Sequence, residues 1–316
     1  MPDFISTILS SPYNPVNIRS RSTRTKAYVA LGIVCFFWGT TWLASKEGVK
    51  HMPAFQMAGI RQFLGGLVYT IFFLARGKVS WPKGKDWGTI FLLALLNFIL
   101  SNGLATWGVK YISGGLASII NSIIPLWLVV IGLFNKGARI PRKAIIGFAC
   151  GFAGICFIFY EHLHDFLNAN FTLGIIISVA ATWSWAFGTI YTKDHAKKFN
   201  PYFGIGLQML ISGVVLYAIS SITGLSVPLS AIPWQSWSAI VYLVVFGSII
   251  SFIAYLYALQ HLSAEQSSLY AYVNPIVAVI LGALIFKERL TAFIAIGGLI
   301  TLYGVYLVNS AFRKTK

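Results

Sequence analysis

Charged side chains are scarce in this sequence. Only 10% of its 316 residues are Asp, Glu, Lys or Arg, and only eight are acidic, whereas 57% are apolar. A soluble domain carries about 25% charged residues, which cover its surface. The deficit excludes an ordinary soluble protein and indicates that lipid solvates much of the chain.

Cysteines and metal-ligand clusters are also sparse. Cys35, Cys150 and Cys156 lie within apolar runs, and their odd number argues against a disulfide framework. Residues 161–165 (EHLHD) contain two histidines between two acids, but no Cys or distant His supports them as a metal site. We therefore predict a solvated loop at this position, no bound metal and no cofactor.

Basic residues outnumber acidic ones, which gives a net charge of +16. They lie in short clusters between apolar runs rather than on one face of a domain, so nucleic acid is not an expected partner. Such clusters are typical of the signals that orient membrane helices.

The apolar runs predict ten membrane-spanning helices. Each run approaches the ~20 residues needed to cross a hydrocarbon core of ~30 Å. Because the runs are continuously apolar and do not alternate, they predict helices rather than strands. The predicted spans are 28–46, 54–75, 87–109, 113–134, 141–160, 172–192, 201–223, 236–259, 264–286 and 291–311.

The positions of the basic residues predict the orientation. With a cytoplasmic N-terminus, eighteen of the 24 Lys and Arg residues fall on the cytoplasmic side, five fall outside, and Arg61 lies within a span. This bias follows the positive-inside rule. It predicts cytoplasmic termini, with residues 1–27 as a disordered basic tail and residues 312–316 as a short second tail.

The two halves of the chain resemble each other. Pro125 matches Pro275 at an offset of 150, several glycines match at the same offset, and Trp38 matches Trp185 at an offset of 147. Each half, 28–160 and 172–311, carries five predicted spans, and an odd number reverses the direction of the second half. We predict an all-α integral membrane protein whose ten helices form a 5+5 inverted repeat, which is typical of secondary transporters. A duplicated scaffold without transport activity is the alternative.

Four segments resemble the EamA-type branch of the drug/metabolite transporter superfamily, and the likeness extends over nearly the whole chain. The resemblance implies two five-helix EamA-type repeats, a central cavity and transport of amino acids or similar metabolites, often outward. The segments are FFWGTTWLASK (36–46), AGIRQFLGG (58–66), VNPIVAVILGALIFKERLT (273–291) and IGGLITLYGVYL (296–307).

The first half departs from the family pattern. The family often carries an acidic residue after the fourth span, as Glu288 follows the ninth here, but this chain has Gly137, Ala138 and Arg139 at that position. A role that requires two symmetric glutamates is therefore not expected.

Arg61 is the one ionised side chain well inside a predicted span. A charge at that depth costs several kcal/mol unless it is paired or reaches water, which makes it a functional candidate. We interpret it as a site for a substrate carboxylate. A structural arginine bonded to carbonyls of a neighbouring helix is the competing interpretation.

Pro125 and Pro275 lie in the middle of matching spans. Each removes a backbone hydrogen bond and kinks its helix, and paired kinks in two repeats are typical of a transporter site. We predict that both act as hinges and that the neighbouring Asn121 and Asn274 bind substrate. The alternative is that membrane helices simply tolerate these prolines.

Other polar and aromatic side chains within the spans complete the predicted substrate site. Amides in hydrocarbon must face protein or a wet cavity, and the matched tryptophans lie deeper than those expected at the membrane interface. Tight helix packing remains the alternative for the tryptophans. These further candidates are Trp38, Asn97, Asn102, Trp185 and Tyr255.

No acidic residue lies in the middle of a span, where proton-coupled transporters usually place one. Glu47 and Glu265, at span ends, are the candidate coupling residues, together with His261. A facilitator without coupling is the alternative.

These features predict a secondary transporter of the inner (plasma) membrane, not an enzyme. It would export a small metabolite by alternating access as a monomer or homodimer, with the lipid bilayer and the small-molecule substrate as its partners. An intramembrane lipid- or metabolite-modifying enzyme would need a catalytic acid–base, metal or nucleophile set in the spans, and none is evident. A channel-like facilitator would need a filter motif, and none is evident either.

The predicted topology is tested by cysteines placed at Ser22 and Thr315. Both should react in intact cells with membrane-permeant maleimides only, because both termini are predicted to be cytoplasmic. Labelling of either cysteine by an impermeant maleimide would refute the orientation.

Overall fold

The computed structural model describes residues 21–77, 79, 81–133, 141–161, 165–195, 200–262 and 270–313. These residues contain helices, turns and loops but no strand. The helices are α1 (Arg21–Gly48), α2 (Ala54–Ala75), α3 (Lys85–Leu93, Ala94–Gly103 and Leu104–Gly108 in succession), α4 (Gly114–Asn121), α5 (Ile124–Leu133), α6 (Arg142–Glu161), α7 (Ala169–His195), α8 (Pro201–Ile222), α9 (Trp234–Tyr242, Leu243–Ile250 and Ser251–His261 in succession), α10 (Tyr270–Phe286) and α11 (Ala292–Arg313).

Six helical stretches in the described residues are long and apolar enough to cross a membrane by length and composition. Helix α10 and most of α11 are shorter apolar helices. Together, these apolar helices confirm the predicted all-α membrane class. The six stretches are Thr23–Gly48, Ala54–Ala75, Lys85–Gly108, Ala169–Thr192, Pro201–Ile222 and Trp234–Ala258.

Two boundaries differ from the predicted spans. Helix α1 begins at Arg21 rather than at residue 28, because a helix nucleated by an apolar segment propagates readily into polar neighbours. The predicted tail is therefore helical from Arg21, and residues 1–20 and 314–316 lie outside the described residues. The fourth predicted span is divided into α4 and α5 by a turn at Ser122 and Ile123.

Polar caps define several helix ends. The Ser113 side chain accepts a hydrogen bond from the backbone N–H of Leu116 (3.1 Å) and caps α4. The Asn200 side chain accepts from the N–H groups of Tyr202 (2.9 Å) and Phe203 (3.2 Å) and caps α8. These side chains satisfy N–H groups that have no partner within the helix.

Glycines bring α2 and α8 into close contact. A Cβ atom at Gly59 would lie 3.0 Å from the carbonyl oxygen of Gly213, and one at Gly66 would lie 2.7 Å from that of Gly206. Because residue numbers rise along α2 as they fall along α8, the two helices run antiparallel. Small residues allow this approach between membrane helices.

Helices α6 and α11 pack in the same way. A Cβ atom at Gly147 would lie 2.7 Å from the carbonyl oxygen of Gly304, and one at Gly154 would lie 2.6 Å from that of Gly297. This pair is therefore also antiparallel. A third close approach involves Gly39 of α1, which packs against the side chain of Val277 of α10 near the middle of both helices.

Both α3 and α9 contain a π-helical stretch at their centre, Ala94–Gly103 and Leu243–Ile250. In each helix a side chain donates a hydrogen bond to the backbone carbonyl five residues earlier. Asn102 donates to Asn97 in α3, and Ser251, directly after the π segment of α9, donates to Phe246. Such π segments occur often at functional sites. The apolar pattern of the sequence did not predict them.

Replacement of Gly66 by Ala should destabilise the protein. The added Cβ would lie 2.6 Å from the backbone nitrogen of Leu210, so α2 and α8 must separate, at a cost of about 1–3 kcal/mol. A thermal melt in detergent measures the effect. Gly88→Ala is the control, because its Cβ meets nothing within 4 Å and Ala favours the helix; equal melting temperatures for the two variants would contradict the packing account.

Candidate functional site

A cavity of about 100 Å³ lies among helices from both halves of the chain. Helices α1, α2, α3, α4 and α5 line it from the first half, and α7, α9 and α10 line it from the second. The lining residues are Trp38, Thr41, Trp42, Ser45, Arg61, Ser101, Asn102, Ala105, Thr106, Asn121, Ile124, Trp185, Phe252, Tyr270 and Asn274.

Arg61 supplies the positive charge of this cavity. Its side chain lies on α2 and is only 7% exposed. Among the described residues its one hydrogen bond runs from Nε to Oγ of Ser248 on α9, at 3.2 Å. Gly247 makes room for the guanidinium, since a Cβ there would lie 3.1 Å from Nη2. The two Nη groups therefore remain available to a ligand in the cavity.

No carboxylate among the described side chains lines the cavity. Glu47 pairs with Lys50 and lies 4.0 Å from His51, both near the end of α1. Asp86 accepts a hydrogen bond from the backbone N–H of Lys83, at 3.3 Å. In the part of the chain that the structure describes, Arg61 thus has no acidic counter-ion, which is costly for a buried charge.

The other coupling candidates lie away from the cavity or outside the described residues. Nδ1 of His261 lies 2.8 Å from the carbonyl oxygen of Tyr257, at the end of α9. Glu265 lies outside the described residues, as do residues 162–164 of the histidine-containing loop and residues 137–139. No group of metal-ligating side chains occurs within the described ranges.

Aromatic rings form one wall of the cavity around Trp38. Its ring centroid lies 5.1 Å from that of Tyr270, 5.3 Å from that of Phe252 and 6.3 Å from that of Trp185. Nε1 of Trp38 donates to the carbonyl oxygen of Gly247 (3.1 Å), which ties α1 to the π segment of α9. The predicted pair Trp38 and Trp185 is therefore brought together at the cavity.

Tyr255 packs against this aromatic wall on the side away from the cavity. Its ring centroid lies 5.1 Å from that of Trp38 and 5.6 Å from that of Tyr270, but it is absent from the cavity lining. It is therefore placed to hold the aromatic wall rather than to touch a ligand in this conformation.

Three of the four predicted asparagines line the cavity. Asn102 and Asn121 do so from α3 and α4, and Asn274 does so from α10. The amide nitrogen of Asn274 is placed to donate to the carbonyl oxygens of Tyr270 (3.0 Å) and Cys35 (2.8 Å). Asn274 thus joins α10 to α1. Because these bonds use the amide nitrogen, the side-chain oxygen is the atom available to a ligand.

Asn97 does not line the cavity. It packs against Gly188 of α7, where its Oδ1 lies 1.8 Å from the position of an added Cβ. That oxygen is buried and has no hydrogen-bond partner among the described atoms. The structure assigns Asn97 to the contact between α3 and α7.

The two prolines differ in their surroundings. Pro125 is the second residue of α5, directly after the turn that ends α4, and Asn121 is the last residue of α4. Pro275 is buried within the continuous helix α10. The first half therefore has an interrupted helix where the second half has a helix with an internal proline.

Several lining residues were not predicted. Thr41, Trp42 and Ser45 share one face of α1 with Trp38, as do Ser101 and Thr106 with Asn102 on α3. Extension of the helical i, i+3, i+4 pattern from the predicted residues would have identified them. Tyr270 lies four residues before Asn274 and Phe252 three residues before Tyr255, so the same pattern reaches both.

The chain matches a known transporter family in both halves. Residues 25–160 and 172–310 each match the EamA-like transporter family. The "Uncharacterized inner membrane transporter YedA" of Escherichia coli (strain K12) is 32% identical over 285 residues, which covers 89% of each chain. The "Uncharacterized transporter YoaV" of Bacillus subtilis is 25% identical over 296 residues, which covers 91% of this chain and 99% of that one.

The chain is also similar to a plant protein and to a solved structure. A chloroplastic WAT1-related protein of Arabidopsis thaliana is 30% identical over 281 residues, which covers 87% of this chain and 67% of that one. A solved crystal structure matches with a TM-score of 0.65 and 17% identity, and the match covers 92% of this chain and 99% of that one. At this identity the solved structure supports the fold alone.

Proposed function

Because the chain belongs to the EamA-like transporter family and is a multi-pass membrane protein, we propose that it moves a small metabolite by alternating access. The substrates proposed are amino acids or related compounds, and the direction is export. Transport of a small molecule across a membrane follows from the family. The substrate class, the direction and the mechanism are the proposal.

The unpaired Arg61 is the observation that carries the proposed substrate class. A buried guanidinium without an acidic partner is destabilising, and a bound anion removes that penalty. Arginine also binds a carboxylate in a planar two-bond geometry. The substrate is therefore expected to present a carboxylate to the free Nη groups of Arg61.

The rest of the cavity suits the remainder of such a substrate. The wall around Trp38 offers apolar and aromatic surface, while Asn102, Asn121 and Asn274 offer amide groups. Apolar and aromatic surface combined with a few precisely placed polar groups is typical of small-molecule sites. This combination fits a carboxylate that carries an apolar or aromatic side chain.

Three features support a 5+5 inverted repeat. The two segments that match the family correspond to the proposed repeats, 28–160 and 172–311. Helices α2 and α8, and likewise α6 and α11, stand at equivalent positions in the two halves and run antiparallel. The π segments of α3 and α9 are also equivalent. Inverted repeats give a carrier two similar states, one open to each side.

In this proposal the movable parts are the irregular helices that line the cavity. The turn before Pro125 and the proline within α10 lie beside Asn121 and Asn274, respectively. Breaks in the backbone ladder are the usual sites of helix bending. We propose these two positions as hinges. The proposed carrier lies in the inner membrane with both termini in the cytoplasm, and it acts as a monomer or homodimer.

Purified protein in liposomes tests the function and the role of Arg61 together. Labelled amino acids and carboxylic acids are screened for uptake, with and without a pH gradient. Arg61→Gln should reduce uptake of the accepted substrate by roughly 10–100-fold, the effect expected from loss of hydrogen bonds to a charged group. Arg61→Lys should retain part of it, since the charge remains.

Arg76→Gln is the matched control, because Arg76 directly follows α2 but is exposed. It should transport at the parental rate. Parental uptake of every accepted substrate by Arg61→Gln would refute the binding role. Conversion of a compound rather than its accumulation would point to the enzyme alternative.

A further inference from the structure

We propose that Glu288 is a latch that keeps the cavity closed at one membrane face. This is the face at which α1 ends, α4 begins and α10 ends. The inference rests on the transport function proposed above, and it concerns access to the same cavity.

Glu288 joins two parts of the chain that are far apart in sequence. It lies in the loop between α10 and α11. Its Oε1 accepts a hydrogen bond from the backbone N–H of Gly114 (2.9 Å), and its Oε2 accepts one from Gly115 (3.1 Å). These N–H groups open α4 and have no partner within that helix. A carboxylate there also interacts favourably with the helix dipole.

The surrounding backbone is shaped to receive this carboxylate. A Cβ atom at Gly282 would lie 2.6 Å from Oε2 of Glu288, so a side chain at that position would displace it. The backbone N–H of Glu288 donates to the carbonyl oxygen of Gly282 (3.0 Å). The preceding Lys287 adopts a left-handed conformation with φ of 53°, which lysine rarely does.

The latch is connected to the cavity wall through α1 and α4. The side chain of Leu43 on α1 is 3.1 Å from a Cβ placed at Gly114 and 3.4 Å from one placed at Gly282, so it fills the space between α4 and α10. Trp42, beside it, lines the cavity, and so does Asn121 at the other end of α4. In this proposal the cavity opens at this face when α4 moves away from the α10–α11 loop, and that movement breaks both Glu288 bonds.

A charge on α1 strengthens the same closure. Lys46 is attracted electrostatically to Glu288. Its Nζ also donates to the carbonyl oxygen of Lys110, in the turn that leads into α4 (3.2 Å). Glu288 thus binds the α10–α11 loop to the start of α4, and Lys46 connects α1 to the turn before α4.

The sequence provides this latch in the second half only. At the offset of 150 that relates the halves, Ala138 stands where Glu288 stands in the second repeat. An alanine side chain cannot cap a helix. The resting carrier is therefore closed at the latched face. With a cytoplasmic N-terminus, this is the external face, so the resting carrier takes up substrate from the cytoplasm.

A distance measurement tests the latch without any substrate. Spin labels are placed at Lys110 and Leu290, two exposed positions on either side of the latch, in protein with Cys150 and Cys156 replaced by Ser and reconstituted in nanodiscs. The parent should show one short distance. Glu288→Gln, which removes the charge, should raise the ratio of separated to closed molecules roughly tenfold.

Gly282→Ala is the second variant, because it keeps Glu288 but displaces its carboxylate, and it should shift the same ratio. Glu47→Gln is the matched control: it removes a carboxylate at the same face that pairs within one segment, and it should leave the distances unchanged. Folding of each variant is checked by size exclusion and thermal melting.

An unchanged distance distribution in folded Glu288→Gln or Gly282→Ala would overturn the proposal. A lower melting temperature without a change in the distances would show that Glu288 only caps α4, and this would also overturn the proposal. If Glu288→Gln does not fold, Gly282→Ala decides. Because no ligand enters the measurement, a failure of Arg61-dependent uptake would count against the proposed function and not against the latch.

Discussion

The burial of one arginine is the constraint on which the cavity depends. Taking a guanidinium out of water costs several kcal/mol even after the protein has relaxed around it. Arg61 receives one hydrogen bond partner, Ser248, and no carboxylate from the described residues. The aromatic wall around Trp38 provides apolar surroundings of low dielectric, in which a charge pair is stronger than in water. We propose that an anionic substrate completes this site.

The fold separates rigid packing from irregular helices. Helix α8 and the pair α6 and α11 stay outside the cavity lining and pack through glycines that bring backbones together. The cavity is lined by the regular helices α1, α2 and α7 together with helices that have π segments, a break or an internal proline, namely α3, α9, α4 with α5, and α10. Irregular backbone at membrane depth is tolerated where it borders a cavity, because polar groups there find partners or water.

Sequence reasoning predicted residues that line the cavity where a depth argument or the internal repeat applied. Arg61 stood out because a charge within a span is rare, and Trp38 and Trp185 because they match between the halves. Asn97 and Tyr255, which were predicted to bind substrate, lie near the cavity but do not line it. Which face of a helix meets the cavity depends on packing between helices, and a single sequence does not report it.

Other features could not be read from the chain at all. The π segments leave the apolar pattern unchanged, so a hydropathy argument predicts a plain helix through Ala94–Gly103. The bonds of Glu288 to Gly114 and Gly115 bring together groups more than 170 residues apart.

The account is tested most directly by an experimental structure of the protein with an accepted substrate bound. We expect the substrate carboxylate within 2.7–3.2 Å of the Nη atoms of Arg61, the range of a hydrogen bond, with the apolar part of the substrate against Trp38. A substrate bound in the cavity with its charged group away from Arg61, or bound elsewhere, would contradict the central claim.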